Sequence, residues 1–88
     1  MMTDREIMRI FARRAFCYLK KGDIEKAIED VTRAINGGKE RLDLSIDSNK
    51  TFLAKFYETR AYLLLGLTEG GAAKIREAEK ALEALGDL

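Results

Sequence analysis

Apolar residues recur at helical spacings of three and four in two neighbouring stretches of the first half of the chain. On the first stretch these are Ile7, Phe11, Ala15 and Tyr18, and on the second Ile24, Ala27, Ile28, Val31, Ala34 and Ile35. Between them lies Lys21-Gly22-Asp23. Glycine tolerates the left-handed backbone that closes a helix, and aspartate is a preferred N-cap. So short a connection makes the two helices antiparallel and adjacent, and the pattern predicts an αα-hairpin.

Helix start and stop signals set the bounds of this first hairpin at about residues 4–36. Thr3 and Glu6 have the spacing of a capping box, so the first helix is predicted from about Asp4 to Lys21. The second is predicted from about Ile24 to Asn36, because Gly37-Gly38 follows as a helix breaker.

A second hairpin is predicted over about residues 50–85. Its first helix, capped by Ser48 or Asn49, extends to about Gly66. A turn at 68–71 then leads to a fourth helix over 72–85, closed by Gly86. The fourth helix carries an apolar stripe, at spacings of three, four and three, made of Ile75, Ala78, Leu82 and Leu85.

The segment between the hairpins, residues 37–49, has a different pattern. Leu42, Leu44 and Ile46 alternate with polar residues, which is the period of a strand. A single strand has no partner in a helical chain, so we expect an extended loop whose apolar side chains pack on the hairpins. A short helix is the other option.

Composition supports one all-α domain spanning residues 1–88. The chain has no proline and no tryptophan, and helix-forming residues dominate. The net charge of +1 gives no reason to expect nucleic acid or a membrane as partner. The chain has no apolar stretch long enough to span a membrane and no apolar signal core, and its single cysteine, Cys17, suits a reducing compartment. We therefore expect a cytoplasmic protein, with Cys17 as a small packed residue.

Enzymatic chemistry is not expected. The chain has no histidine, which is the commonest general base and metal ligand, and one cysteine cannot build a standard zinc site. Glycine-rich phosphate-binding loops are absent, and the carboxylates fall on predicted helix surfaces. No catalytic residue, metal site or cofactor is predicted.

The first hairpin resembles the tetratricopeptide (TPR) repeat over residues 8–36. The matching residues are Phe11, Arg14-Ala15 and Tyr18 on the first helix, and Ala27, Val31 and Ala34 on the second. Arg14 stands where the family has leucine, and Lys39 where it has a closing proline. A degenerate second copy spans 54–85: Arg60-Ala61 aligns with Arg14-Ala15, while Lys74 takes the place of Ala27. The resemblance implies two hairpins packed as a short right-handed superhelix with a long loop between them.

The resemblance also implies a concave groove, lined by the first helix of each hairpin, that accepts a peptide or a partner helix. The groove positions carried over are Arg9, Ala12, Arg13, Phe16, Leu19, Lys20, Lys55, Glu58, Thr59, Tyr62 and Leu65. Within this set, Phe16, Leu19, Tyr62 and Leu65 form an apolar strip without an obvious cover, as interaction surfaces do.

Charge is distributed unevenly between the helices. Residues 1–21 carry six basic and two acidic side chains and residues 51–66 two and one, whereas 22–36 have two and four and 67–88 three and five. Basic groove helices favour a ligand with apolar anchors among acidic residues. Charge balance between adjacent antiparallel helices explains the same distribution, and both explanations stay open here.

The sequence therefore predicts a protein-protein interaction module without catalysis. The alternative is a self-assembling helical scaffold, because two hairpins leave an end face exposed and a homodimer would cover it. An RNA-binding repeat ranks third. It needs base-reading polar side chains repeated at equivalent positions, whereas here Ala12 and Phe16 align with Glu58 and Tyr62. A TPR clamp for chaperone C-termini is not expected, because Ala12 and Phe16 replace its Lys and Asn.

Overall fold

The computed structural model describes residues 1–87, which form four helices and no strand. The helices are α1 (Asp4–Lys20), α2 (Ile24–Arg41), α3 (Asp47–Gly66) and α4 (Ala72–Asp87). The predicted all-α class is confirmed. The molecule measures 38 × 23 × 19 Å along its principal axes.

The first hairpin forms where its cap residues predict it. The Glu6 backbone N–H donates to Thr3 Oγ1 at 3.1 Å, and the Thr3 backbone N–H donates to Glu6 Oε1 at 3.4 Å, which completes the capping box. Gly22 has a φ of +81°. This left-handed residue lets the Asp23 N–H donate back to the Tyr18 carbonyl at 2.9 Å, and the Asp23 side chain then caps α2. The predicted sharp reversal at Gly22 is confirmed.

The four helices pack in a ring: α1 lies against α2 and α4, and α3 lies against the same two helices. This packing differs from the predicted superhelix, in which α1 and α4 would be the two most distant helices. In the ring, α4 packs against both α1 and α3. On α4, Ala78, Leu82 and Leu85 are buried and Ile75 is half-buried, so this stripe faces the core of the ring.

The core runs along the centre of this ring. Its buried apolar residues are Met8, Ala12, Ala15, Leu19, Ala27, Val31, Ala34, Ile35, Phe52, Leu53, Phe56, Leu63, Ala78, Leu82 and Leu85. The Phe52 and Phe56 rings meet edge to face, with centroids 5.2 Å apart. Phe11 and Tyr18, which the sequence placed inside the first hairpin, are half-buried against this core.

Three glycines predicted to end helices, Gly37, Gly38 and Gly86, lie inside them instead. Gly38 sits in α2, where an added Cβ would lie 2.7 Å from Met8 Cε and 3.2 Å from Leu53 Cδ1. Gly86 sits in α4, where an added Cβ would lie 2.8 Å from Arg13 Cγ. Gly38 and Gly86 allow close approach of neighbouring side chains. The helix α2 continues to Arg41 and α4 to Asp87.

The connection between the hairpins is shorter than predicted, covering residues 42–46. Leu42 and Leu44 pack on the core as expected, whereas Ile46 stays 48% exposed. Asp43 organises the turn, because its Oδ1 accepts from the Ser45 backbone N–H at 3.0 Å and from Ser45 Oγ at 2.6 Å. These hydrogen bonds lower the pKa of the Asp43 carboxyl, the bond from the Ser45 hydroxyl more than the bond from its backbone N–H.

Candidate functional site

The α1 side of the predicted groove is covered by α4. Arg13 Nε donates to the Gly86 carbonyl at 2.6 Å, and Lys20 forms an ion pair with Glu79. Because α4 occupies this face, no continuous groove runs between α1 and α3 over the part of the chain that the structure describes.

The eleven predicted groove residues are therefore divided among three environments. Ala12, Leu19 and Thr59 are buried, Arg9, Phe16 and Tyr62 are half-buried, and Arg13, Lys20, Lys55, Glu58 and Leu65 are exposed. For the three buried residues the prediction does not hold. Ala12 and Leu19 belong to the core, and the Thr59 hydroxyl donates to the Lys55 carbonyl at 2.7 Å within α3.

A surface groove with a volume of about 700 Å³ lies between α3 and α4. We call it the α3–α4 groove. Its lining residues are Arg5, Ser48, Thr51, Phe52, Lys55, Glu58, Tyr62, Glu77, Lys80, Ala81, Ala84 and Leu85. Lys55, Glu58 and Tyr62 are the only members of the predicted set that line it.

The α3–α4 groove has an apolar floor and charged rims. Phe52 and Leu85 are each 6% exposed, and the half-buried Tyr62 continues the apolar surface along α3. The rims carry both charges: Lys55 and Glu58 on α3, and Glu77 and Lys80 on α4. Small alanines on α4 leave the space open. Such a surface can bury apolar side chains of a ligand, while the charges on its rims orient the ligand.

At one end of the α3–α4 groove, α1 places two arginines over the Phe52 ring, of which Arg5 lines the groove and Arg9 does not. Arg5 Cζ lies 4.3 Å from the Phe52 ring centroid, and Arg9 Cζ lies 5.2 Å from it. The Nε atoms of both arginines are buried and have no hydrogen-bond acceptor. This is a positively charged end to an otherwise apolar floor.

Sequence reasoning missed the α4 side of the groove, Arg5 on α1, and three α3 residues, Ser48, Thr51 and Phe52. One signal could have indicated the α4 side: α3 is apolar on almost every side, so that even its solvent face carries Ala54, Tyr57, Ala61 and Leu64. A helix that is apolar all round is normally covered on more than one side. The family resemblance instead directed attention to a groove between α1 and α3.

The remaining candidate chemistry is limited. Among residues 1–87, no group of His, Cys, Asp and Glu side chains is arranged to hold a metal ion. Cys17 is exposed, which corrects the expectation that it packs in the interior, and its position on the outer face of α1 separates it from the groove. None of the helices in the described chain combines the length and the apolar character needed to cross a membrane.

Comparison with models of protein families, with curated proteins and with solved structures found no match to this chain. The resemblance of residues 8–36 to a TPR repeat therefore stays a prediction from the residues quoted above.

Proposed function

We propose that this protein is a protein-interaction module that binds an amphipathic helix of a partner protein in the α3–α4 groove. The observation that carries the proposal is the apolar floor of the groove, where Phe52, Tyr62 and Leu85 meet open space between two helices. Exposed apolar surface rimmed by charge is typical of interaction sites.

The dimensions of the groove favour a helix as the occupant. Ser48 and Tyr62, which mark its ends on α3, are about 21 Å apart at the rise of an α-helix. That length accommodates about four turns of a partner helix. Two antiparallel helices present ridges between which a third helix packs, and helix-in-groove recognition reads apolar anchors at spacings of three and four.

The rim charges define the partner further. Lys55 and Lys80 attract acidic residues, while Glu58 and Glu77 attract basic ones. The partner helix should therefore carry apolar anchors on one face and charges of both signs beside them. This modifies the sequence-based expectation of a mainly acidic ligand.

The proposal is tested with a displayed library of helical peptides, selected for binding to the full chain. Ala81→Arg inserts a long side chain into the groove, and Ala73→Arg makes the same change at an exposed position of α4 outside it. Peptides synthesised from the selection should bind the Ala73→Arg variant normally and the Ala81→Arg variant at least tenfold more weakly. If no peptide is selected, or if binding ignores Ala81→Arg, the proposal is wrong.

Self-assembly is the second candidate function, and the solvent face of α3 favours it. Ala54, Tyr57, Ala61 and Leu64 follow each other at spacings of three, four and three, which is the seam of a coiled coil. Tyr57 is 38% and Leu64 is 49% exposed. In an antiparallel pair of α3 helices, each small alanine can face a large residue of the copy.

Sedimentation equilibrium tests this candidate separately from the groove. Ala61→Arg places a charge in the middle of the α3 seam and does not touch the groove lining. A dimer that dissociates in Ala61→Arg, and persists in Ala73→Arg and Ala81→Arg, would establish self-assembly through α3. A monomer at all concentrations would exclude it.

A further inference from the structure

We propose that the Phe52 end of the α3–α4 groove is a carboxylate-binding site, in which Arg5 and Arg9 together bind an Asp or Glu side chain of the partner helix. The inference rests on the proposed function, because it assigns a ligand chemistry to one end of the same groove.

The two arginines lie against the same aromatic ring at one end of the groove. They lie one turn apart on α1, and both guanidinium carbons lie within 5.2 Å of the Phe52 centroid. Contact with the ring restricts both side chains before a ligand binds, so less side-chain freedom is lost on binding. Two positive charges held over one ring also repel each other, and an anion between them removes that repulsion.

Neither arginine has an acidic partner within residues 1–87. The ion pairs of that part of the chain involve Arg14, Lys20, Lys26, Arg33 and Lys80, and none involves Arg5 or Arg9. Their buried Nε atoms also lack a hydrogen-bond acceptor within the described chain. By contrast, Arg14 and Arg33 both bind the carboxylate of Asp30, and Arg13 binds a backbone carbonyl. Arg5 lines the α3–α4 groove, Arg9 lies beside it over the same ring, and neither forms a side-chain hydrogen bond within residues 1–87.

A carboxylate fits these donors better than a neutral group does. Guanidinium groups bind carboxylates through paired, charge-assisted hydrogen bonds, which are shorter and stronger than those to amides. The hydroxyls of Ser48 and Thr51, which line the same groove, supply further donors. A side-chain carboxylate, rather than a chain terminus, suits a partner helix that continues along the whole groove.

The test uses peptides selected on the chain, synthesised with amidated C-termini, each paired with a version in which one Glu or Asp is replaced by Gln or Asn. The protein variants are Arg5→Met and Arg9→Met, which keep an apolar stem on Phe52 and remove the charge. Arg76→Met is the matched control, because Arg76 is exposed on α4 outside the groove lining.

We expect Arg5→Met and Arg9→Met each to weaken binding of the acidic peptide by roughly tenfold or more, because each variant loses a hydrogen bond to a charged group. On the unaltered chain, the amide version of the peptide should bind more weakly than the acidic version by a similar factor. Its affinity should fall little further when the protein carries Arg5→Met or Arg9→Met. This non-additivity identifies the carboxylate that the arginines bind. Thermal unfolding followed by circular dichroism shows that each variant folds.

Two outcomes separate this inference from the proposed function. Peptides that lose binding with Ala81→Arg but bind Arg5→Met, Arg9→Met and Arg76→Met equally well would overturn the carboxylate site and leave the helix-binding groove standing. Selection of no groove-dependent peptide would overturn both. Equal losses for acidic and amide peptides on Arg5→Met and Arg9→Met would show that the arginines only shape the groove, and would also overturn the carboxylate site.

Discussion

Arg14 on α1 binds the fully buried carboxylate of Asp30 on α2 through two hydrogen bonds, from Nε at 2.8 Å and from Nη2 at 2.7 Å. Arg33 adds a third, from Nη1 at 2.7 Å. The pair joins the two helices of the first hairpin. Arg14 also stands at the position where the TPR pattern has leucine. The ion pair with Asp30 explains what an arginine does at this position in the hairpin.

Replacing Asp30 with asparagine should destabilise the protein by about 1–3 kcal/mol, because an amide cannot accept all three charge-assisted bonds and turns donors toward donors. Urea unfolding monitored by circular dichroism measures the loss. Glu29→Gln, one residue earlier on the exposed side of α2, is the control and should change stability by less than about 0.5 kcal/mol. Equal effects of the two substitutions would mean that the Asp30 pair contributes nothing specific.

The same carboxylate predicts how stability depends on pH. Burial alone raises the pKa of Asp30, but the hydrogen bonds from Arg14 and Arg33 outweigh it, so the pKa lies below its usual value. A group whose pKa is lower in the folded state contributes stability above its unfolded pKa of about 3.9, and this contribution disappears as the pH falls through the folded pKa.

We therefore expect the difference in unfolding free energy between the unaltered chain and Asp30→Asn to be constant above about pH 5 and to shrink progressively below about pH 4. Urea titrations at a series of pH values measure it. Asp43, whose pKa is also lowered, remains in both proteins, and its effect cancels in the comparison. A difference that grows on acidification would contradict the assigned direction.

Adjacent glycines in α2 should respond in opposite ways to alanine. At Gly37 an added Cβ meets nothing within 4 Å, so Gly37→Ala should stabilise the protein by about 0.5–1 kcal/mol through helix propensity. At Gly38 the Cβ meets Met8 and Leu53 in the core, and overpacking costs about 1–3 kcal/mol. Thermal melts of the two variants should shift in opposite directions. Two stabilised proteins would show that Met8 moves aside at little cost.

The helices could be read from the sequence because their periodicity and caps are local features. Thr3, Glu6, Gly22 and Asp23 act through neighbours on the chain, and the caps and the turn that they form are as predicted, whereas α2 runs past its predicted end. The role of Gly38 could not be read, because a glycine that breaks a helix and one that admits a neighbouring helix look alike until the neighbour is known. Its partner Leu53 is distant in sequence.

The faces of α1 illustrate the same limit for the candidate site. Met8, Ala12, Ala15 and Leu19 are spaced by four, three and four, so the buried stripe was present in the sequence beside the one formed by Phe11 and Tyr18. Two apolar stripes mean two packing partners. Periodicity shows how many faces are covered, but which helix covers them depends on the ring closure by α4. Because of that closure, the groove lies between α3 and α4 and not between α1 and α3, where it was predicted.

Gly22 provides a test of the hairpin in which strain is separated from steric conflict. An added Cβ there meets no atom within 4 Å, so space does not limit the position, but the φ of +81° does. Gly22→Ala should cost about 1–2 kcal/mol, the penalty of a left-handed conformation for an ordinary residue. Gly22→Asn should cost less, because the asparagine side chain tolerates this region. Urea unfolding of the two variants measures both losses. If alanine were as stable as glycine, the chain would reverse at Gly22 without left-handed backbone, and the bond from the Asp23 N–H to the Tyr18 carbonyl would have to be replaced by another geometry.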